Sequence, residues 1–261
     1  MKVIVVANQK GGVGKTTSAR HFVFHAARRL KKKTLAVDLD VQHNFSKTFL
    51  NVAEENDVPI DPRPLVVSDL FGPIKRELKP QTVEACIDLI AADPGIALVE
   101  RSDLESAIHA ATAWFKELSH DYEVCVVDTG PSVSNLLVVA LSLGDFAVSP
   151  CKPDRDAIDG LMGFFSNVVR VRDEAAINPK LASLGVLPNQ VDASRAYHTE
   201  MLRNMREAWG DGVLPVTLFE RAAIDVAKDR PVWETNKGES RSRAAKEMRI
   251  VCEYIFGRMG L

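Results

Sequence analysis

Eight consecutive residues, Lys10-Gly11-Gly12-Val13-Gly14-Lys15-Thr16-Thr17, combine three glycines with two ammonium groups and two hydroxyls. That mixture suits a chain of phosphates. Glycines carry no side chain, so successive backbone N–H groups can converge on anionic oxygens. A helix beginning at the end of the run adds the partial positive charge of its N-terminus. In such a loop Gly11, Gly12, Val13 and Gly14 form the amide cradle, Lys15 meets the β- and γ-phosphates, Thr16 binds Mg²⁺ and Thr17 meets the α-phosphate. A glycine turn with two solvated lysines is the plain alternative. It explains less, because an apolar run, Val3-Ile4-Val5-Val6, precedes the loop and a helical pattern follows it.

Two acidic segments complement the loop. Asp38-Leu39-Asp40-Val41-Gln42-His43-Asn44 follows a second apolar run. Alternate spacing puts Asp38 and Asp40 on one side if the strand continues that far, where carboxylates handle Mg²⁺ and water. Val124-Cys125-Val126-Val127-Asp128 is an apolar run ending in Asp, the form of a carboxylate that supports a nucleotide-bound metal. His43 reads as a loop residue rather than a general base.

These residues need a frame at strand ends. Strands are predicted at 2–7, 34–38, 87–91, 123–128, 145–150, 184–189 and 213–217. Helices are predicted at 17–30, 96–118, 133–143, 155–176, 196–209 and 242–256. Most strands are continuous Val/Ile/Leu runs, as in strands covered on both faces. Their alternation with helices predicts an α/β fold with a mostly parallel, twisted β-sheet flanked by helices on both faces, and a ligand site at the carboxyl ends of the strands. The proline-rich stretch 59–64 cannot form a regular element and reads as an exposed loop.

The 261 residues carry a net charge of −2. Near-neutrality argues against constitutive coating by nucleic acid but leaves room for a local basic patch. Four scattered cysteines, Cys86, Cys125, Cys151 and Cys252, contain no C-x-x-C pair and read as reduced thiols rather than a zinc site. No signal peptide and no bilayer-spanning apolar run is visible. We expect one domain over 1–261, with no added helix-turn-helix at the N-terminus.

Gln9 stands where the general phosphate-loop pattern has its first Gly, and Lys10 opens the loop instead. This resembles the deviant Walker A motif of the ParA/MinD family of ATPases, whose fold is that of the P-loop NTPases. The resemblance implies an ATP- and Mg²⁺-dependent ATPase in which Lys10 reaches across a nucleotide-sandwich dimer, much as an arginine finger does. It makes Lys10, Lys15 and Asp40 catalytic, with Asp40 orienting water. It places Thr16, Asp38 and Asp128 near the metal, and Asn189 and the Pro215 region near adenine. The family usually has Asp-x-Asp-Pro-Gln-x-Asn and Asp-Thr/Cys-Pro-Pro. Here Val41 replaces Pro, His43 stands where Gly is common, and Gly130 replaces the first Pro, which bears on hydrolysis rate. Further similarity runs through Asn135–Leu141, 145–148, Pro150, 157–161 and 187–190.

The resemblance favours the ParA branch: a cytoplasmic, bacterial partition ATPase, nucleoid-associated in its ATP state. It implies a homodimer that binds non-specific DNA and is released when a ParB-like partner stimulates hydrolysis. Candidate DNA contacts are Arg195, Arg221, Arg243, Lys246 and Arg249, the last three flanking a helix whose apolar stripe is Ala244, Met248, Val251, Cys252 and Ile255. A MinD-like membrane-cycling or other cargo-positioning ATPase is the alternative. The chain's last eight residues lack the charge and length of a membrane anchor, so no anchor is expected. An electron-transfer relative would need cluster-binding cysteines after Asp128, and none follows closely.

Overall fold

The computed structural model describes residues 1–131, 134–154, 157–174, 177–227, 229–234 and 242–261. Seven strands form one sheet: β1 (Lys2–Val6), β2 (Thr34–Leu39), β3 (Gln81–Glu84), β4 (Ile87–Ile90), β5 (Val124–Thr129), β6 (Phe146–Cys151) and β7 (Ala182–Pro188). Their order is β3-β4-β2-β5-β1-β6-β7, with every pairing parallel except the β3–β4 hairpin.

The continuous apolar runs are explained by two-sided covering. Ile4 and Val6 of β1 join one core cluster, whereas Val3 and Val5 join another. The first cluster receives Phe22 and Phe24 from α1 (Lys15–Phe24), Phe45 and Phe49 from α2 (Asn44–Glu55), and Met248 and Phe256 from α9 (Arg243–Arg258). The second receives Trp114 and Phe115 from α4 (Leu104–Leu118), Leu137 and Leu141 from α5 (Asn135–Leu143), and Phe164 from α6 (Ala157–Val169). Among the described residues the other α-helices are α3 (Ile96–Val99), α7 (Ala196–Trp209) and α8 (Ala222–Val226).

Several expectations are corrected. The helix expected at 96–118 is two helices, because Asp103 takes an extended conformation and its side chain caps α4 by accepting from the Ser106 N–H. Helix α2 and edge strand β3 went unforeseen. The segment expected as a strand at 213–217 makes only an isolated parallel bridge, Val186 with Val213. The strand-like run is real but short, and the chain beyond it bridges through Phe219 to Val191 in the loop after β7. Parts of the helices expected at 133–143 and 155–176 lie outside the described residues. The stretch 59–64 has no regular element, as expected.

Candidate functional site

The parallel register sets the carboxylates side by side. Asp38 of β2 lies directly opposite Asp128 of β5, and Asp128 lies opposite Val6, the last residue of β1 before the loop. The loop after β1 then turns into α1. Gly12 (φ 74°) and Gly14 (φ 86°) sit in the left-handed region that other residues avoid. A side chain at Gly14 would also collide with Asn189.

The Thr16 hydroxyl donates to Asp128 Oδ2 at 2.6 Å. Asp128 Oδ1 is buried and has no hydrogen-bond partner. Burial, and then the facing Asp38, push the Asp128 carboxyl well above the usual carboxylate range, against the pull of Thr16 and Lys15. The Lys15 ammonium, 6% exposed as a residue, donates to the Lys10 carbonyl at 3.0 Å and so closes the loop on itself. Its pKa is lowered by burial, while Asp128 and Asp40 favour its charge. Among the described residues no group of three or more His, Cys, Asp or Glu side chains forms a metal cage. A Mg²⁺ ion fits this donor set in its usual manner, through few protein oxygens plus substrate phosphates and water. The orphaned Asp128 oxygen beside the Thr16 hydroxyl supplies the protein side.

Asp40 lines the phosphate cleft, with Oδ1 accepting from the Gln42 N–H at 3.0 Å. Gly130 packs against it: a Cβ there would stand 3.2 Å from Asp40 Oδ1. The glycine that departs from the family pattern therefore makes room for this carboxylate. His43 adopts φ 57° at the start of α2 and is not among the cleft-lining residues; its neighbours Gln42 and Asn44 are.

Asp38 is a brace: Oδ1 accepts from the Asp40 N–H at 3.1 Å, and Oδ2 accepts from the Ser46 N–H (2.8 Å) and Oγ–H (2.6 Å). Both its oxygens accept hydrogen bonds, and the Thr16–Asp128 pair lies across the strand pairing from it. Asn189 lines the half of the cleft beside Phe219, and its Nδ2 donates to the Val13 carbonyl at 2.7 Å, which fixes the loop. Pro215 is exposed and lines neither half of the cleft.

The cleft has two contiguous halves that share Gly14, Thr17 and Gln190. The phosphate half, ≈ 370 Å³, runs from Gly11 to Thr17 with Asp40 and Pro131. The second, ≈ 130 Å³, is walled by Asn189, Phe219, Glu220, Arg221, Ile224, Asp225 and Met248. Phe219, Ile224 and Met248 offer apolar contact beside the polar Asn189, Glu220, Arg221 and Asp225, a mixture that suits a base and ribose, and no local sequence signal marks Phe219, Glu220, Ile224 or Asp225. At the opening of the loop, Lys10 Nζ meets both oxygens of Asp154 at 2.7 Å. Its backbone N–H is held by Asn8 Oδ1, and Asn8 Nδ2 ties that corner to Ser149 and Pro150 of β6.

The candidate DNA contacts are spread out. Arg195 pairs with Asp192 at 3.0 Å near the start of α7. Arg221 walls the second half-cleft and pairs with Glu247 of α9, which also holds Arg243. Lys246 is exposed and Arg249 half-buried on α9, whose apolar stripe is buried as expected.

Fold and loop together define an ATPase of the P-loop class. The AAA_31 family, described as an AAA domain, matches residues 1–183. The chain is 32% identical to IncC of Escherichia coli, over 99% of this chain and 70% of that protein. It is 31% identical to the chromosome-partitioning ATPase Soj of Thermus thermophilus, over 80% and 78%. A plasmid partition protein from Borrelia burgdorferi B31, crystallised with AMPPNP, shares the fold with a TM-score of 0.79 at 21% identity, over 98% and 99% of the two chains. The chain belongs to the ParA/MinD family of P-loop ATPases, among its IncC- and Soj-like partition members.

Proposed function

We propose that the chain hydrolyses ATP with Mg²⁺ within a two-ATP homodimer, that this dimer holds DNA without sequence preference, and that a ParB-like partner accelerates hydrolysis and release. The observation that carries the reading is the Thr16–Asp128 hydrogen bond beneath a left-handed glycine loop that Lys10 opens. ATP and Mg²⁺ are supported by that donor set and by the nucleotide complex of the Borrelia neighbour.

In this reading the 11–14 amides and Lys15 bind the phosphates, and Thr16 and Asp128 hold the metal. Bound Mg²⁺ supplies positive charge against the phosphate oxygens. Asp40, kept in place by Gln42 and given room by Gly130, orients water. Lys10 must leave Asp154 to reach a second subunit, which makes a lone chain a poor catalyst. Phe219 and its neighbours, rather than Pro215, flank the base. We read the 261 residues as one ATPase unit.

DNA contact is assigned to α9 and the loop of Arg221, with Arg195 as a further contact. Retention on a random-sequence duplex should require ATP, and Arg243→Glu combined with Arg249→Glu should abolish it while dimerisation persists. Lys15→Ala should lower turnover by a factor on the order of 10² or more. Equal retention with and without ATP, or full activity of the Lys15 variant, overturns the reading. No helix among the described residues is long and apolar enough to cross a membrane. Retention on anionic vesicles in place of DNA would favour the membrane-cycling alternative.

A further inference from the structure

One carboxylate sits in the middle of the face assigned to DNA. Glu247 of α9 is 13% exposed at its side chain, far less than Arg243, at 76%, one turn before it. It accepts from Arg221 Nη2 at 2.9 Å and Nε at 3.4 Å, and from Arg243 Nε at 3.1 Å. Arg221 comes from the loop before α8 and is further fixed over the Phe219 ring, 5.5 Å from its centroid. Two guanidiniums from different elements therefore converge on a single, nearly buried acidic group. Arg221 and Glu247 are both largely shielded from water, so that pair is screened less than the exposed ion pairs elsewhere, while Arg243, at 76% exposed, adds a weaker surface contact to the same carboxylate.

A guanidinium recognises phosphate through the same paired N–H groups that it offers a carboxylate. We propose that Glu247 occupies the DNA-facing arginines as an internal substitute for a phosphodiester, and so keeps a single chain from holding DNA. The proposal rests on the DNA-binding reading and adds its regulation. DNA must displace Glu247 to engage Arg221 or Arg243, so one face alone binds weakly. Two faces held together by a dimer bind through combined contacts, and retention becomes dependent on ATP. Lys246 and the exposed Ile250 lie on the same helix and are not held by this carboxylate in any described contact. A near-neutral protein thereby withholds DNA affinity through one residue rather than through overall charge.

The test uses the full chain, a random-sequence DNA duplex and the variant Glu247→Gln, which keeps the side chain's shape and removes its charge. Without nucleotide, Glu247→Gln should be retained about tenfold more tightly than the wild type at equal salt, with a log–log salt slope steeper by about one to two. Arg243→Ala should then cost more affinity when combined with Glu247→Gln than in the wild type. Circular dichroism melting establishes that the variant is folded. If it is not, Glu247→Asp, too short to span both guanidiniums, takes its place with the same expectation. Wild-type retention that needs ATP, with an unaltered ATP requirement in the folded variant, overturns the role of Glu247 and leaves the DNA reading standing. Binding of neither protein to DNA in any nucleotide state overturns both, and retention on anionic vesicles alone assigns the face to lipid instead.

Discussion

The carboxylate of Asp40 owes its room to a glycine. Gly130 has no side chain where a Cβ would press on Asp40 Oδ1, and the same oxygen accepts from the Gln42 N–H. A contact of 3.2 Å is tighter than a relaxed Cβ accepts, so Asp40 would shift by a few tenths of an ångström. Gly130→Ala should therefore lower single-turnover hydrolysis several-fold. Nucleotide affinity, measured with a fluorescent ATP analogue, should stay unchanged. Asp40→Ala in the same assays marks complete loss of the water-orienting group, and a Gly130 variant that matched the wild type would remove Gly130 from this role. The family resemblance marks Gly130 only as a departure from a proline. Its use is visible once the β2 and β5 ends are seen abreast.

At the scale of elements, α1 is tied to the rest of the chain through a histidine that must stay neutral. His21 Nδ1 donates to the Thr17 carbonyl at 2.7 Å, which leaves Nε2 bare to accept the Val232 N–H at 3.1 Å. Burial, reinforced by Arg20, drives its pKa from 6.5 down to about 3, against the Thr17 hydrogen bond. His25, one turn on, falls to about 4 through burial and then Arg29. In both cases the unfolded chain takes up a proton near pH 6.5 that the folded chain refuses. The stabilisation is therefore complete above pH 6.5 and is lost on acidification toward pH 4, at about 1 kcal/mol per pH unit for each histidine. Urea melts between pH 6.5 and 5 should show this slope, where ordinary carboxylates scarcely titrate, reduced by the proton uptake of the raised Asp38 and Asp128 carboxyls in the folded chain. His21→Asn should flatten it by roughly half. An equal slope in the variant would place the acid sensitivity elsewhere. His21 thereby ties the Thr17 carbonyl, at the end of the phosphate loop, to Val232 in the segment at 229–234.

For the molecule as a whole, the open question is how many chains make one active site. The single chain places Lys10 against Asp154 rather than over the phosphate half of the cleft. If Lys10 acts in a second subunit, Lys10→Ala should bind ATP with near-wild-type affinity and yet lose turnover by about 10²-fold. Mixing it with Lys15→Ala should restore partial activity, because one composite site then receives an intact Lys15 and an intact Lys10 from different chains. Phosphate release by the mixture no greater than by either variant alone would confine Lys10 to its own chain.

Much of this was legible in the linear order of residues. The glycine-and-lysine loop, the paired apolar runs ending in Asp38 and Asp128, and the alternation of strands with helices are local patterns. Backbone geometry and burial on two faces impose them wherever the fold occurs. Helix α2, the capped break before α4 and the failure of 213–217 to pair fully were not legible, because each depends on which neighbour supplies hydrogen bonds. The same holds for roles. Chemistry follows from residue type, so Lys15, Thr16 and Asp128 were identifiable from their order in the chain. Partnership follows from distance in space, so only the tertiary structure could turn Asp38 toward Ser46 and Asn189 toward Val13. It alone set Lys10 on Asp154 and brought Arg221 to Glu247, the carboxylate that helical i,i+4 spacing already gives to Arg243, because Lys10–Asp154 and Arg221–Glu247 join segments that no spacing along the chain relates.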